Sequence, residues 1–220
     1  MLSLGQGSED FMSKKIVIVD YEMGNVHSVH NALLALGYTA KVSRSVQDIE
    51  EADGIVLPGV GAFPKAMENL NSFGLTKTLN RQVMELRKPF LGICLGMQLL
   101  SESSDEGRQT RGLGWIKGEV VAVPPHGVKV PHVGWNDVAL TEKSLLFSDI
   151  SAPTFYFDHS YQLQCDESIV SAWCEYGQRF VAAIQFQNVF ATQFHPEKSQ
   201  KNGLKLLSNF LKFVRESSHD

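Results

Sequence analysis

The chain has 220 residues, 43% of them hydrophobic and 20% charged, enough to bury one sizeable core. A net charge of -4, from 20 basic and 24 acidic residues without a basic run, argues against a nucleic-acid surface. No stretch approaches the roughly 18 consecutive apolar residues of a membrane span.

Met1 to Phe11 has neither the basic start nor the apolar core of a secretory signal. Met12-Ser-Lys-Lys reads as a translation start, so residues 1–11 are expected to lie upstream of it; the N-terminal extension is taken as 1–14 and the domain as 15–216. Ile16 to Asp20 is a β-branched run, as in a buried parallel strand. A turn over Tyr21–Asn25 leads to a helix from about Val26 to Leu36, stopped by Gly37. Lys41–Ser43, Val46–Glu51 and Gly54–Pro58 read as strand, helix, strand, the alternation of a doubly wound α/β sheet. Pro58-Gly-Val-Gly61 is a glycine-rich loop where such sheets bind ligands, or an ordinary strand-to-helix connection. Lys65–Leu70 and Leu75–Arg87 have helical spacing.

Phe90 to Leu100 organises the chain. An apolar strand runs into Gly92, and Cys94 stands between Gly92 and Gly96 at the head of a helix-compatible run. This Gly-x-Cys-x-Gly is a cysteine form of the nucleophile elbow, a sharp strand-to-helix turn that lifts the nucleophile off the sheet. The following helix is expected to direct its N-terminal dipole at the sulfur and favour the thiolate. Gln98, four residues on, falls on the same helix face. Taken alone, Cys94 could equally be a buried core cysteine.

Ser101 to Arg111 is polar and reads as a mobile surface loop. From Gly112 the pattern changes to apolar alternating with polar. Gly112–Val123, Val128–Asn136, Pro153–Gln164, Ile169–Tyr176, Val181–Gln187 and Val189–Phe194 read as an antiparallel β extension. No linker separates it from the first region, so a single domain is expected. Cys165 and Cys174 lack Cys-x-x-Cys spacing and read as structural; with an odd cysteine count this argues against a disulfide framework or metal site, and the cytosol is expected. Asn202–Arg215 is an amphipathic helix that should close the sheet.

His195 and Glu197 decide the reading of Cys94. Two residues apart, they share one face if the segment is extended, so the carboxylate can orient the imidazole. Cys94, His195 and Glu197 then form a nucleophile, base and orienter.

Gly92-Ile-Cys-Leu-Gly-Met-Gln98 with His195-Pro-Glu197 resembles the class I (triad) glutamine amidotransferases. Pro58–Phe63, Pro131-His-Val-Gly-Trp-Asn136, Phe155-Tyr-Phe-Asp-His-Ser-Tyr161 and His195-Pro-Glu-Lys-Ser199 resemble more narrowly the glutaminase subunits of imidazole glycerol phosphate synthases, from about Ile16 to Val214. The resemblance implies glutamine hydrolysis, with the N–H groups of Val60 and Leu95 as a switchable oxyanion hole. It implies a glutamine site at Gly59, Gly61, Gln98, Ser160 and Tyr161. It implies a face for a separate (β/α)₈-barrel cyclase at Asn25, His132, Trp135, Tyr156 and Lys198, and no metal or organic cofactor. The glutaminase fold takes up the chain and leaves the ammonia without an acceptor, hence a heterodimer is expected.

Asp158 departs from the pattern, since an aliphatic residue is expected before His-Ser-Tyr. It keeps open a paralogous glutaminase that feeds a sugar-amidating synthase. A non-catalytic docking subunit is a further alternative, against which the complete triad and the glycine loop argue.

Overall fold

A computed structural model of the chain describes residues 14–217, apart from 126, 143 and 144. The expected N-terminal extension lies outside the described residues except for Lys14.

The first half follows the expected alternation. Strands β1 (Ile16–Val19), β2 (Ala40–Ser43), β3 (Gly54–Gly59) and β4 (Phe90–Cys94) are linked by α1 (Val26–Ala35), α2 (Val46–Glu51), α3 (Phe63–Ser72) and α4 (Leu75–Leu79). After α4 the chain widens into a π-helical stretch, Asn80–Glu85, where one α-helix through Arg87 was expected. There Asn188 Nδ2 donates to the Val83 carbonyl at 2.9 Å and to the Lys88 carbonyl at 2.7 Å. Helix α5 (Leu95–Gln98) is a single turn. The long helix α6 (Gln200–Glu216) ends the fold.

The second half carries β5 (Ser103–Ser104), β6 (Thr110–Arg111), β7 (Gly118–Ala122), β8 (His132–Leu140), β9 (Thr154–His159), β10 (Tyr161–Cys165), β11 (Val170–Tyr176), β12 (Gln178–Phe186) and β13 (Val189–Thr192). A nine-stranded sheet runs β2-β1-β3-β4-β13-β12-β11-β8-β9, and a four-stranded one β10-β7-β5-β6. The pairings β1–β2, β1–β3, β3–β4 and β4–β13 are parallel; those from β13 through β12, β11, β8 to β9 are antiparallel. The mixed sheet therefore continues into β12, β11, β8 and β9 of the expected extension, while β7 and β10 of it go to the small sheet. The expected surface loop over Ser101–Arg111 instead contributes β5 and β6, and Ser101 and Ser104 are buried.

Alternate strand residues feed two cores, one on each face of the large sheet. Ile16 and Ile18 pack with Leu33 of α1 and Leu207, Phe210 and Val214 of α6. Val17 and Val19 pack on the other face with Ile49, Phe63, Leu70 and Leu79, joined by Val120 of the small sheet. With both faces covered, β3 and β4 are buried along their whole length. The C-terminal ends of β3, β4 and β13 come together, the place where open α/β sheets build their sites.

Candidate active site

Cys94 ends β4 in register with Gly59 of β3, and Ile93 beside it pairs with Thr192 of β13. Its backbone has φ 54° and ψ -108°, the sharp turn of an elbow. A Cβ on Gly92 would lie 2.7 Å from the Gly96 carbonyl oxygen, and one on Gly96 would lie 1.8 Å from the Leu57 carbonyl oxygen. Only glycines let the strand and the next turn approach this closely. The turn is Leu95–Gln98 alone, so the expected helix dipole is that of one turn.

Cys94 is 6% exposed. His195 lies in hydrogen-bonding contact with its sulfur and donates from Nδ1 to Glu197 Oε1 at 2.8 Å. Both partners in that bond are buried. The pairing does not come from an extended segment: Pro196–Lys198 is a short 3₁₀ turn, which curls Glu197 back under the imidazole. The His195 N–H donates to the Tyr156 carbonyl at 2.9 Å, while Ser199 Oγ donates to the His195 carbonyl at 2.6 Å. Burial pulls the His195 imidazole down, but the charge and hydrogen bond of Cys94, then those of Glu197, outweigh it and raise its pKa. The imidazolium form of His195 is thereby favoured beside the sulfur.

A pocket opens over Cys94, lined by Val60, Gly61, Leu95, Gln98, Ser160 and Tyr161 among others. Gly61, Gln98, Ser160 and Tyr161 thus stand where expected; Gly59 lies buried beneath them. The Gln98 amide nitrogen donates to the Tyr161 carbonyl at 2.9 Å and to Gln193 Oε1 at 3.0 Å. Gln193 in turn directs Nε2 at Cys94 Sγ over 3.7 Å. Gln193 was not singled out in the sequence, although it sits two residues before His195, directly after the strand β13 that enters the site. Glu106 also lines the pocket, and its Oε2 accepts from the Phe63 N–H at 2.8 Å.

The glutamine amidotransferase class-I family matches residues 17–213. A protein of Vibrio vulnificus (strain YJ016), imidazole glycerol phosphate synthase subunit HisH 2, is 48% identical over 204 residues, spanning 91% of this chain and 95% of that protein. The HisH subunit of Aquifex aeolicus (strain VF5) is 50% identical over 199 residues, spanning 89% and 95%. A crystal structure described as a glutamine amidotransferase has a TM-score of 0.70 over 90% of this chain and 98% of that one; at 19% identity this is a likeness of fold. The chain belongs to the class-I glutamine amidotransferases, in the HisH family.

In this HisH-family chain the two N–H groups expected to form an oxyanion hole stand differently. Leu95 opens the helical turn, where the first N–H groups have no intrahelical acceptor. The Val60 N–H is instead turned away and donates to the Met23 carbonyl at 2.5 Å. Gly61, just beyond β3, has φ +99°, a conformation that favours glycine.

The expected partner face divides. Trp135 is 48% exposed, is the register partner of half-buried Tyr156, and meets its ring edge-to-face at 6.2 Å. Lys198 Nζ lies 5.5 Å from the Tyr156 ring centroid and 3.9 Å from Asp158 Oδ2. These residues form one cluster, joined to the pocket through Asp158, which lines it. His132 does not belong to it: it is 3% exposed and stacks on Tyr176 and Phe157 in the interior. Asn25 is half-buried and spends its side chain on capping α1, accepting from the Ser28 N–H at 3.4 Å. Burial raises the thiols of Cys165 and Cys174 to about 12, which suits their structural reading. Among the described residues no helix is long and apolar enough to cross a membrane.

Proposed function

We propose that this chain hydrolyses glutamine to glutamate and ammonia and hands the ammonia to a separate (β/α)₈-barrel cyclase, which makes imidazole glycerol phosphate and aminoimidazole-carboxamide ribotide in histidine biosynthesis. The observation that carries the chemistry is the buried Cys94–His195–Glu197 array at the base of a pocket. The Cys94 thiolate attacks the side-chain amide carbon. The oxyanion is met by the Leu95 N–H and, once the strand has turned, by the Val60 N–H. His195 gives its proton to the departing ammonia and leaves a thioester on Cys94. His195 then takes a proton from water, hydroxide adds to the thioester, and glutamate leaves. Residues 15–216 act in this reading as one domain, working without metal or organic cofactor. Free ammonia is mostly protonated and unreactive at neutral pH, so the product needs a direct route to its acceptor. Trp135, Tyr156 and Lys198, clustered beside Asp158 of the pocket, are the docking face in this reading.

Glutamate release from glutamine tests this under three conditions: the chain alone, with the histidine-pathway cyclase, and with both cyclase and its nucleotide substrate. We expect little release alone, a large rise in the third condition, and none with Cys94→Ala. Turnover retained by Cys94→Ala would sink the triad. Asp158 at the mouth favours a second reading, a sugar-amidating synthase as acceptor. A triad-dependent rate that the cyclase leaves unmoved would select it.

A further inference from the structure

Two buried imidazoles outside the triad face each other across β8 and β9. His132 and His159 are register partners, and His132 Nδ1 lies 3.0 Å from His159 Nε2. The other nitrogen of His159, Nδ1, lies 2.9 Å from the Tyr161 carbonyl oxygen. A carbonyl only accepts, so Nδ1 carries the proton. In a neutral ring Nε2 then accepts, and His132 Nδ1 is the donor. Asn136 Nδ2, which only donates, stands 3.4 Å from His132 Nε2 and completes the series. A second proton on either ring would set N–H against N–H. Burial opposes it as well, pulling His132 down to about 4 and His159 to about 3, the latter further disfavoured by the nearby His132 and His195.

This series ends in the substrate pocket. At Ser160 the chain leaves the nine-stranded sheet and enters the four-stranded one, so His159 and Tyr161 flank a corner. The corner supplies Asp158, Ser160 and Tyr161 to the pocket wall. The Val123 N–H donates to the Ser160 carbonyl at 2.8 Å, and Gln98 Nε2 shares the Tyr161 carbonyl with His159 at 2.9 Å. Through Gln98 and Gln193 the same network reaches Cys94 Sγ. The rings around His159, Phe157 at 5.8 Å and Phe180 at 5.1 Å, would house a phenyl group at less desolvation cost. An imidazole supplies what a phenyl cannot, an N–H across the corner and an acceptor for His132.

We propose that His159, backed by His132, is a positioning residue for glutamine: it bridges the Ser160 corner and sets where Ser160 and Tyr161 meet the substrate. This rests on the glutaminase reading above. The test is kcat and KM for glutamine hydrolysis by the chain with the histidine-pathway cyclase and its nucleotide substrate present. His159→Phe keeps the ring and removes the donor; KM should rise about tenfold with kcat changed less than about twofold, the size of one lost hydrogen bond. His159→Asn, whose amide N–H can stand in for Nδ1–H, should return KM to within about threefold of wild type. An unmoved KM in His159→Phe, a fall in kcat instead, or no rescue by His159→Asn overturns the proposal. If His159→Phe does not fold by near-UV circular dichroism, His132→Phe decides. There we expect a KM rise of about threefold, reversed by His132→Asn, and an unmoved KM overturns the proposal. Wild-type turnover in the same assay separates the two claims. No turnover defeats the glutaminase reading; turnover with an unmoved KM defeats only this one.

Discussion

His195 and Glu197 share an almost solvent-free contact, and the carboxylate beside Nδ1 stabilises the charged ring. The His195 pKa therefore stands above its usual value of 6.5, held there by Cys94 and Glu197 against burial. A raised folded-state value means that stability from this group is complete below the unfolded value and is lost as pH climbs through the folded one. Replacing Glu197 by Gln removes the counter-charge. We expect the alkaline limb of kcat/KM, where the imidazolium that protonates ammonia is lost, to move to lower pH in Glu197→Gln. The alkaline fall in thermal stability should move the same way. A limb that stays in place would show that Glu197 does not hold the imidazolium. The triad was legible because a glycine-flanked cysteine and a His-x-Glu each carry a geometric demand. Gln193 was not, because a buried glutamine contributes through contacts between β13 and β4 that no local spacing announces. His132 was legible but misread. It stands three residues from Trp135 on a strand of period two, so the two cannot share a face, and exposed Trp135 obliges His132 to point inward.

The elbow works as an element because β4 and its following turn touch at backbone level. Adding a methyl at Gly96 drives it into the Leu57 carbonyl of β3, which is main chain and cannot step aside. Gly37, by contrast, has φ +82° and open space around it. We expect Gly96→Ala to destabilise the fold by roughly 4 kcal/mol or more in urea unfolding, the range of severe overpacking. Gly37→Ala should cost only about 1 kcal/mol, its conformational penalty. Comparable losses at the two positions would refute the close-packing account. At this scale the parallel half could be read from solid apolar runs broken by helical periods: β1, β3 and β4 fall where those runs fall, and β2, Ala-Lys-Val-Ser, from its place in the alternation. The two-residue strands β5 and β6 could not, since a pair of residues has no period and joins the small sheet only through pairing with β7 and with each other. The π-helical stretch is set by Asn188, a tertiary partner 105 residues from Val83. The split of Pro153–Gln164 into two strands in different sheets depends on the corner at Ser160, inside an otherwise regular alternation.

Over the whole molecule, the isolated chain combines the aligned Cys94–His195–Glu197 array with a proposed oxyanion hole short of one donor. Removing a single such donor typically costs 10²–10³ in kcat. The Val60 N–H, held by Met23, lies on a loop whose exposed valine lines the same pocket as Asp158, beside which Lys198, Tyr156 and Trp135 cluster. A partner seated on that cluster and reaching this loop could favour the turned strand by binding it better, as any two-state switch requires. Trp135 is the large aromatic of the face, half-exposed on an edge-to-face contact, which is the profile of an interface anchor. We expect Trp135→Ala to weaken association with the barrel subunit by about 2 kcal/mol, roughly a thirtyfold rise in Kd by analytical ultracentrifugation. Its thermal midpoint should stay close to wild type, because the side chain leaves little of the core unfilled. At saturating partner concentration the stimulated glutaminase rate should return. An unchanged Kd would move the docking face away from this cluster, and with it the physical link between partner binding and the Val60 strand.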